Sequence, residues 1–258
     1  MILDQIVEDT RKRLAESKRQ MSLPALEQMA KSVEAPRDFL GTLQGSDVSV
    51  IAEIKRASPS KGWLSPNLDL PATVNGYYRG GACALSILTE PTFFKGSFDD
   101  LQMARQVVNL PVLRKDFIID AYQVYEARSH GADAILLIAA ILDISEIIAL
   151  RELTHQLGMV ALVETHNEQE IDKAIAAHAG IIGINNRDLT DFTVDINTTI
   201  RLRPLLPPDI MIVSESGIKS REDILRLQDA GVNAVLMGET LVTSPNPETK
   251  LRELLGKG

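Results

Sequence analysis

The sequence predicts an α/β fold, a single (β/α)8 barrel of the TIM type with an N-terminal helical extension. Short apolar runs rich in β-branched residues recur along the chain, as strands buried on both faces of a parallel sheet do. Helical segments with start and stop signals lie between these runs. The length of 258 residues suits one such barrel. The eight predicted strands begin near Val48, Ala82, Pro111, Asp133, Met159, Gly180, Ile210 and Ala234.

Residues 1–46 form a predicted helical leader, and residues 47–258 form the barrel of the same single domain. Apolar positions Leu3, Ile6, Val7 and Leu14 share one helical face in residues 1–18, and a second helical piece covers residues 23–31. The leader shows no residue of catalytic type on this face. We therefore interpret it as a packing lid or an oligomer contact.

The segments between the predicted strands carry the boundaries of helices. Residues that cap a helix stand three positions before a residue that can complete the cap. These pairs are Ser97 with Asp100, Asp120 with Gln123, Asp143 with Glu146, Asn167 with Glu170 and Ser220 with Asp223. Glycines suited to a left-handed helix end follow at Gly81, Gly131, Gly158, Gly180 and Gly231. An open doubly wound sheet is the competing fold, but its G-x-G-x-x-G fingerprint is absent.

Composition excludes several classes of function. The net charge of −8 argues against nucleic-acid or anionic-membrane binding, because a polyanion would be repelled. The single cysteine, Cys83, excludes an internal disulfide and suits a reducing compartment. The first residues lack a signal peptide, and the longest apolar run, residues 134–142, is too short to span a bilayer. We expect a cytoplasmic protein, with no metal because its histidines lack ligand spacing.

Polar side chains follow every predicted strand except the fourth, which ends in apolar Leu136. Active sites of such barrels lie at these C-terminal strand ends. Glu53 and Lys55 stand two residues apart on one face of the first strand, where they form either a structural ion pair or an acid/base pair. The other strand-end residues are Ser58, Glu90, Lys115, Asp116, Glu164, Asn185, Arg187, Glu215, Ser216, Gly217, Gly238 and Glu239. So many polar residues on one rim favour an active site over scattered salt bridges.

The charges and glycines on this rim indicate an anionic ligand. Lys55, Lys115 and Arg187 supply cations that suit a substrate with two anionic groups. Ser216-Gly217 and Gly238 follow the last two strands, where such barrels commonly bind phosphate through the backbone. These glycines otherwise read as tight turns. A carboxylate at Glu239 would have to point away from the phosphate.

Apolar residues at the rim suit a flat ring. Phe94, Phe117 and Leu136 could line a slot for one, although core packing explains each of them as well. His166 follows Glu164 by two positions and is the histidine nearest the rim, where it could have a supporting role. Asp116 is expected to tie down a neighbouring cation.

Taken together, these segments resemble the indole-3-glycerol phosphate synthase family. The resemblance runs from Phe39 to the C-terminus, with the motifs in the order and spacing of that family. The matching segments are Ile54-Lys-Arg-Ala-Ser-Pro-Ser-Lys-Gly62, Leu113-Arg-Lys-Asp-Phe-Ile-Ile-Asp120, Gly183-Ile-Asn-Asn-Arg-Asp-Leu189 and Ser214-Glu-Ser-Gly-Ile218.

The resemblance implies a carboxy-lyase of tryptophan biosynthesis. Enzymes of this family close 1-(o-carboxyphenylamino)-1-deoxyribulose 5-phosphate into indole-3-glycerol phosphate, and they release CO2 and water without cofactor or metal. This small sugar phosphate carries a phosphate, a carboxylate and a flat ring. Those are the groups that the rim residues suit.

The resemblance also implies catalytic roles. Lys115 would protonate the substrate ketone during ring closure, and desolvation beside other cations is expected to lower the pKa of Lys115. Glu164 and Glu53 would stabilise the resulting iminium cation and move protons. For the final loss of hydroxyl, Glu53 would act as base, and either Lys55 or Glu164 as acid.

The remaining implied roles concern binding. Arg187, with Lys55, would hold the carboxylate, and Asn185 and Glu215 would orient hydroxyls. The lid-like loop after the first strand would carry Ser58 over the substrate. The phosphate would bind to Ser216, Gly217, Gly238 and the backbone of Glu239.

Two alternatives are left open. A Schiff-base lyase acting on another sugar phosphate would use Lys115 as nucleophile. A barrel without catalytic activity would only bind sugar phosphates, although the acid/base residues argue against it. We expect a monomer or a weak homo-oligomer.

Overall fold

A computed structural model describes residues 2–45, 47–189 and 191–257. Its core is a closed barrel in which each of eight parallel strands pairs with its neighbours in chain order. These strands, numbered β1 to β8, are Ser49–Ile54, Ala84–Leu88, Val112–Lys115, Ala134–Ile138, Val160–Thr165, Ile181–Asn185, Met211–Glu215 and Ala234–Met237. The structure thus confirms the predicted (β/α)8 barrel, with strands that begin at, or one or two residues after, the predicted positions.

Helices precede the barrel and alternate with its strands. In chain order, α1 to α11 are Ile2–Gln20, Leu23–Ser32, Leu70–Gly80, Phe98–Val107, Ala121–Ser129, Ile144–Gln156, Glu168–Ala176, Asn197–Leu202, Arg221–Asp229, Glu239–Val242 and Pro247–Leu255. Two of the predicted cap pairs, Asp143 with Glu146 and Ser220 with Asp223, form reciprocal capping boxes.

Two local predictions are wrong. The carboxylate of Asp120 accepts a hydrogen bond from the N–H of Tyr122 instead of the predicted Gln123. The predicted helix end at Gly180 is also displaced, because α7 already ends at Ala176. The left-handed position therefore falls on His178, with φ of 54°, two residues before the glycine.

The barrel interior is apolar toward the N-terminal ends of the strands and charged toward their C-terminal ends. Ile51, Leu113, Leu162 and Val213 are wholly buried and point inward from alternate strands. Because side chains alternate along a strand, the residue two positions later points inward as well, one step nearer the C-terminal mouth. In these four strands that residue is charged: Glu53, Lys115, Glu164 and Glu215. The charged layer therefore lies directly on a layer of wholly buried apolar side chains.

The leader closes both ends of the barrel. Phe39 and Leu43 are wholly buried within the interior cluster. At the opposite end, Arg13 of α1 lies 3.6 Å from the Glu90 carboxylate and 3.9 Å from that of Asp116. The phenol of Tyr122 shares its proton between the carbonyl of Ser17, in the last turn of the same helix, and that of Met21, which directly follows the helix.

The segment after β1, predicted as an irregular loop, contains a short antiparallel hairpin of Ala57–Ser58 with Gly62–Trp63. Its base is held by Arg56, whose guanidinium donates to both carboxylate oxygens of Asp100 at 3.0 and 2.9 Å. Such a bidentate pair fixes direction as well as distance. The hairpin is thus anchored at one end and projects over the barrel mouth.

Within the described ranges, no helix is both long enough and apolar enough to cross a bilayer.

Candidate active site

A cavity of about 330 Å³ opens at the C-terminal ends of the strands. The structure brings all of the predicted site residues to its wall. They are Glu53, Lys55, Ser58, Phe94, Lys115, Phe117, Leu136, Glu164, Asn185, Arg187, Glu215, Ser216, Gly217, Gly238 and Glu239. Their arrangement around one space follows from the parallel strands, which all end at the same rim.

Lys115 lies at the centre of the charged layer. Its Nζ donates to Glu215 Oε2 at 2.6 Å and to Glu164 Oε2 at 3.1 Å. Burial alone would lower the pKa of Lys115, but the fields of Glu215, Glu164 and Glu53 outweigh it and hold the pKa above its ordinary value. The predicted lowering by neighbouring cations is therefore wrong. The nearest charges to this ammonium are carboxylates.

The second lysine of the site, Lys55, pairs with a different carboxylate. Lys55 Nζ lies 2.5 Å from Glu53 Oε1, and the Glu53 side chain is almost wholly buried. The structural ion pair that the sequence left as an alternative is therefore present. Glu53 and Lys55 also line the cavity, so the structural ion pair and the acid/base pair that the sequence left open would be the same two residues.

The two carboxylates on Lys115 differ in their affinity for protons. Burial, reinforced by nearby Glu164 and opposed by Lys115, raises the pKa of Glu215 to about 7. For Glu164 burial acts in the same direction, but Lys115 and His166 outweigh it and lower the pKa well below its usual range. A neutral-pH site therefore combines an ionised Glu164 with a Glu215 that readily carries a proton.

Two glycines make room for these buried carboxylates. A Cβ at Gly183 would lie 2.3 Å from Glu215 Oε1, and a Cβ at Gly238 would lie 2.2 Å from Glu53 Oε1. From the sequence, Gly238 was expected only to bind phosphate, and Gly183 was given no role of its own. A glycine inside a strand signals the close approach of another group, so this role was open to detection.

The rim near the last two strands carries the predicted phosphate residues. Ser216 and Gly217 both have left-handed backbones, with φ of 66° and 84°. The Glu239 carboxylate, expected to point away, pairs with Lys61 of the hairpin and lies 3.9 Å from Arg187 Nη2. Lys61 was not predicted as a site residue, because only the folded hairpin brings it to the rim.

The opposite side of the cavity is apolar. The rings of Phe94 and Phe117 lie 6.1 Å apart between centroids and tilt by 36°, and both line the cavity together with Leu136. Ile2, Leu3 and Ile6 of the leader also line it, so the predicted apolar face of the leader covers part of this cavity. An apolar helical face has the same sequence pattern whether it covers a protein core or a ligand, so the pattern does not distinguish the two.

Several rim residues serve the structure instead. Asp116 accepts from Arg114 Nη2 at 3.0 Å, as expected for a residue that ties down a cation. The Glu90 carboxylate is wholly buried and accepts the N–H groups of Thr92, Phe93 and Phe94. Glu90 thereby shapes the loop that carries Phe94.

His166 lies behind Glu164. Its Nε2 is 3.4 Å from Glu164 Oε1, and its Nδ1 is 2.9 Å from Glu170 Oε2. Across the described chain, no cluster of three or more histidine, cysteine or acidic side chains is arranged to hold a metal ion.

Comparisons with known proteins agree on a family. A family model described as indole-3-glycerol phosphate synthase matches residues 3–254. A relative of that name from Dehalococcoides mccartyi is 48% identical over 260 residues, covering 99% of this chain and 100% of the relative. Another, from Mycolicibacterium vanbaalenii, is 44% identical over 257 residues, covering 100% of this chain and 94% of the relative.

Solved structures of lower identity share the fold. A 3-hexulose-6-phosphate synthase from Salmonella typhimurium matches with a TM-score of 0.64 and 14% identity, over 82% of this chain and 100% of its own. A chain of a tryptophan synthase complex from Pyrococcus furiosus matches with a TM-score of 0.58 and 15% identity, over 81% and 98%. At such identities the likeness concerns the barrel alone.

Proposed function

The chain belongs to the indole-3-glycerol phosphate synthase family, and we propose that it closes 1-(o-carboxyphenylamino)-1-deoxyribulose 5-phosphate into indole-3-glycerol phosphate, with release of CO2 and water. One observation carries the proposal beyond family membership. Lys115 stands between Glu164 and Glu215 at the floor of a cavity that is cationic at one side and apolar at another. This arrangement suits acid/base chemistry on a substrate with both anionic and aromatic parts.

In the proposed complex the substrate spans the cavity. The aromatic ring lies against Phe94, Phe117 and Leu136, and the phosphate lies at the rim formed by Gly217 and Gly238. There the backbone can approach an anion closely.

The remaining polar groups orient the substrate. Arg187 takes the carboxylate, because its guanidinium can bind both oxygens at once. Asn185 and Glu215 orient hydroxyls, Ser216 adds a donor near the phosphate, and Ser58 covers the ligand from the hairpin. The Glu239 carboxylate releases Lys61 when the phosphate arrives, and the Glu239 N–H faces the anion.

Ring closure is the step assigned to Lys115. The ring carbon that bears the carboxylate attacks the ketone carbon, and Lys115 protonates the ketone oxygen as it becomes an alkoxide. An alkoxide is more basic than any amine, so this transfer is favourable even from a lysine whose pKa the carboxylates have raised. The ion pairs fix the ammonium in place before the substrate arrives.

Closure leaves a cationic iminium, which draws the electrons of the carboxylate as CO2 departs. Glu164 stabilises this positive charge because Lys115 and His166 keep it ionised. The final step removes the hydroxyl. We assign the acid of this step to Lys55 and the base to Glu53, since Glu164 holds a proton too poorly to serve as acid.

The alternative Schiff-base chemistry needs a neutral lysine. The carboxylates around Lys115 favour its ammonium form instead, which argues for a general acid. A barrel that only binds sugar phosphates has no use for two buried acid/base pairs, whose desolvation costs several kcal/mol.

The proposal extends to organisation and location. We propose that residues 1–46 and 47–258 unfold as one domain, because Phe39 and Leu43 fill the interior of the barrel. We further propose a cytoplasmic monomer or weak homo-oligomer that acts without cofactor or metal. Cell fractionation, gel filtration and turnover after chelator treatment test these points.

The direct test is turnover of the carboxyphenylamino substrate, followed by indole fluorescence. The chain contains one tryptophan, so the protein adds a small and constant background. A steady rise after removal of metals supports the proposal. If the substrate is unchanged but inorganic phosphate binds, the barrel is a binding protein. If borohydride traps a lysine adduct, the Schiff-base lyase is correct instead.

A further inference from the structure

We infer that His166 is a positioning residue that holds the Glu164 carboxylate ionised and directed at Lys115. The inference rests on the proposed function, because it concerns how Glu164 serves that reaction. The described residues that line the cavity include Glu164 but not His166, so His166 can act only through its neighbour.

The first argument is the place of the imidazole between two carboxylates. Its Nδ1 lies 2.9 Å from Glu170 Oε2, and its Nε2 lies 3.4 Å from Glu164 Oε1. The side chain is only 9% exposed, so water cannot replace either partner. Nε2 is buried and makes no well-aligned hydrogen bond in the described structure, and Glu164 Oε1 is its nearest acidic oxygen. A small movement of Glu164 toward it would complete the hydrogen bond of the imidazole.

The second argument is that Glu170 is itself held in place. Its Oε2 also accepts the backbone N–H of His166 at 2.9 Å, and its Oε1 accepts from the Asn167 side chain at 2.7 Å. Asn167 caps helix α7, and Glu170 stands in the first turn of that helix, where an anion is favoured. The imidazole is therefore fixed from behind by a rigid helix end.

The third argument is charge. Burial would lower the pKa of His166, but Glu164 and Glu170 raise it to about 10, so the ring is an imidazolium at neutral pH. Glu164 then has a cation on each oxygen, with His166 at Oε1 and Lys115 at Oε2. The other charged groups that act on Lys115 are Glu215 and Glu53.

This pairing has a consequence for catalysis. When Lys115 gives its proton to the ketone oxygen, Glu164 loses the positive charge at Oε2. The imidazolium at Oε1 remains, so Glu164 stays anionic while the iminium cation forms next to it. Without His166, Glu164 would compete for the proton at the moment when its charge is required.

The test uses His166→Asn in the full chain. Asparagine keeps a donor toward Glu170 and removes the charge. Removing a cation near Glu164 raises its pKa, so the acid limb of the kcat profile should move to higher pH by about one unit or more. We expect kcat to fall about tenfold or more with KM within about threefold. His155→Gln, at an exposed helix end, is the matched control and should leave both parameters unchanged.

Two further measurements separate positioning from simple support of the fold. Glu170→Gln weakens the anchor of the imidazole while leaving His166 in place, so kcat should fall in the same direction as in His166→Asn, with KM within about threefold and without an upward shift of the acid limb. In wild-type protein, the NMR signal of the His166 ring should remain that of an imidazolium above pH 8, whether or not the enzyme turns over. Both measurements stay informative if His166→Asn folds poorly.

The outcomes distinguish this inference from the proposed function. Active wild-type enzyme with an unshifted acid limb in His166→Asn, or with unchanged kcat in Glu170→Gln, would overturn the role of His166 alone. A neutral ring at pH 7 in the NMR titration would also overturn it. No turnover by the wild type would instead remove the proposed function, and the NMR titration would still decide whether Glu164 faces a cation.

Discussion

Replacing Lys115 with methionine removes the cation that two buried carboxylates share, and we expect it to abolish turnover. The ammonium lies 2.6 Å from Glu215 and 3.1 Å from Glu164. At an effective dielectric constant near 20, each contact corresponds to a Coulomb attraction of about 5 to 6 kcal/mol. Most of this attraction offsets the desolvation of the charges. Breaking such a pair from one side typically costs about 3 to 5 kcal/mol.

The destabilisation should depend on pH in a defined direction. In the wild type, Lys115 depresses the pKa of Glu164, so Glu164 contributes stability above its unfolded pKa and loses it as pH falls. In Lys115→Met the carboxylates face each other without a cation, and their pKa values rise. Glu215, with a pKa of about 7 already, takes up a proton first. The stability gap between the two proteins should therefore widen from about pH 5 to pH 8.

The assay compares three properties of Lys115→Met and wild type. We expect kcat to fall by about 10³-fold or more, as for loss of a general acid. Inorganic phosphate should bind within about tenfold of wild type, because the site proposed for it lies at the other end of the cavity. Denaturant unfolding at pH 6 and pH 8 measures the stability gap. Lys31→Met, on the exposed side of α2, controls for loss of a lysine.

Turnover within about tenfold of wild type would refute the assignment of the general acid. A stability gap that narrows as pH rises would refute the account of the carboxylates, even if activity is lost.

Three further predictions follow from single contacts. Glu239→Gln should tighten the binding of inorganic phosphate about three- to tenfold, because it removes a negative charge from the rim and frees Lys61. An unchanged affinity for phosphate in calorimetry would contradict this. Arg13→Ala should cost about 1 kcal/mol and speed hydrogen exchange in α1, and equal exchange would show that these long ion pairs do not hold the leader. Gly183→Ala should lower kcat by displacing Glu215, and a crystal structure with the carboxylate unmoved would exclude that reason.

Much of the fold and the membership of the site could be predicted from local patterns. Short β-branched runs predict the strands, and caps such as Asp143 with Glu146 predict the helix starts. Both signals depend only on residues that are neighbours in the chain. Period-two alternation places Glu53 and Lys55 on the same face. Since barrel sites lie at strand ends, the residues around one cavity were predictable before any contact was known.

The partners within the site were not predictable in this way. Lys115 meets Glu164 and Glu215 across the interior, at separations of 49 and 100 residues. These residues lie on β3, β5 and β7, which are not adjacent in the barrel. The pairing of neighbouring strands therefore does not predict these contacts. The prediction from the sequence was that cations surround Lys115, whereas the barrel places carboxylates there. The pKa of Lys115 is therefore raised instead of lowered as predicted.

The sequence by itself determined which chemical groups reach the rim, because that depends on alternation along single strands. Only the tertiary structure decided which of them touch. These contacts set the raised pKa values of Lys115 and Glu215, the place of His166 behind Glu164, and the space that Gly183 leaves. The physical reason is that the free energy of a buried charge depends on groups within a few ångströms of it. Closure of the barrel sets those distances.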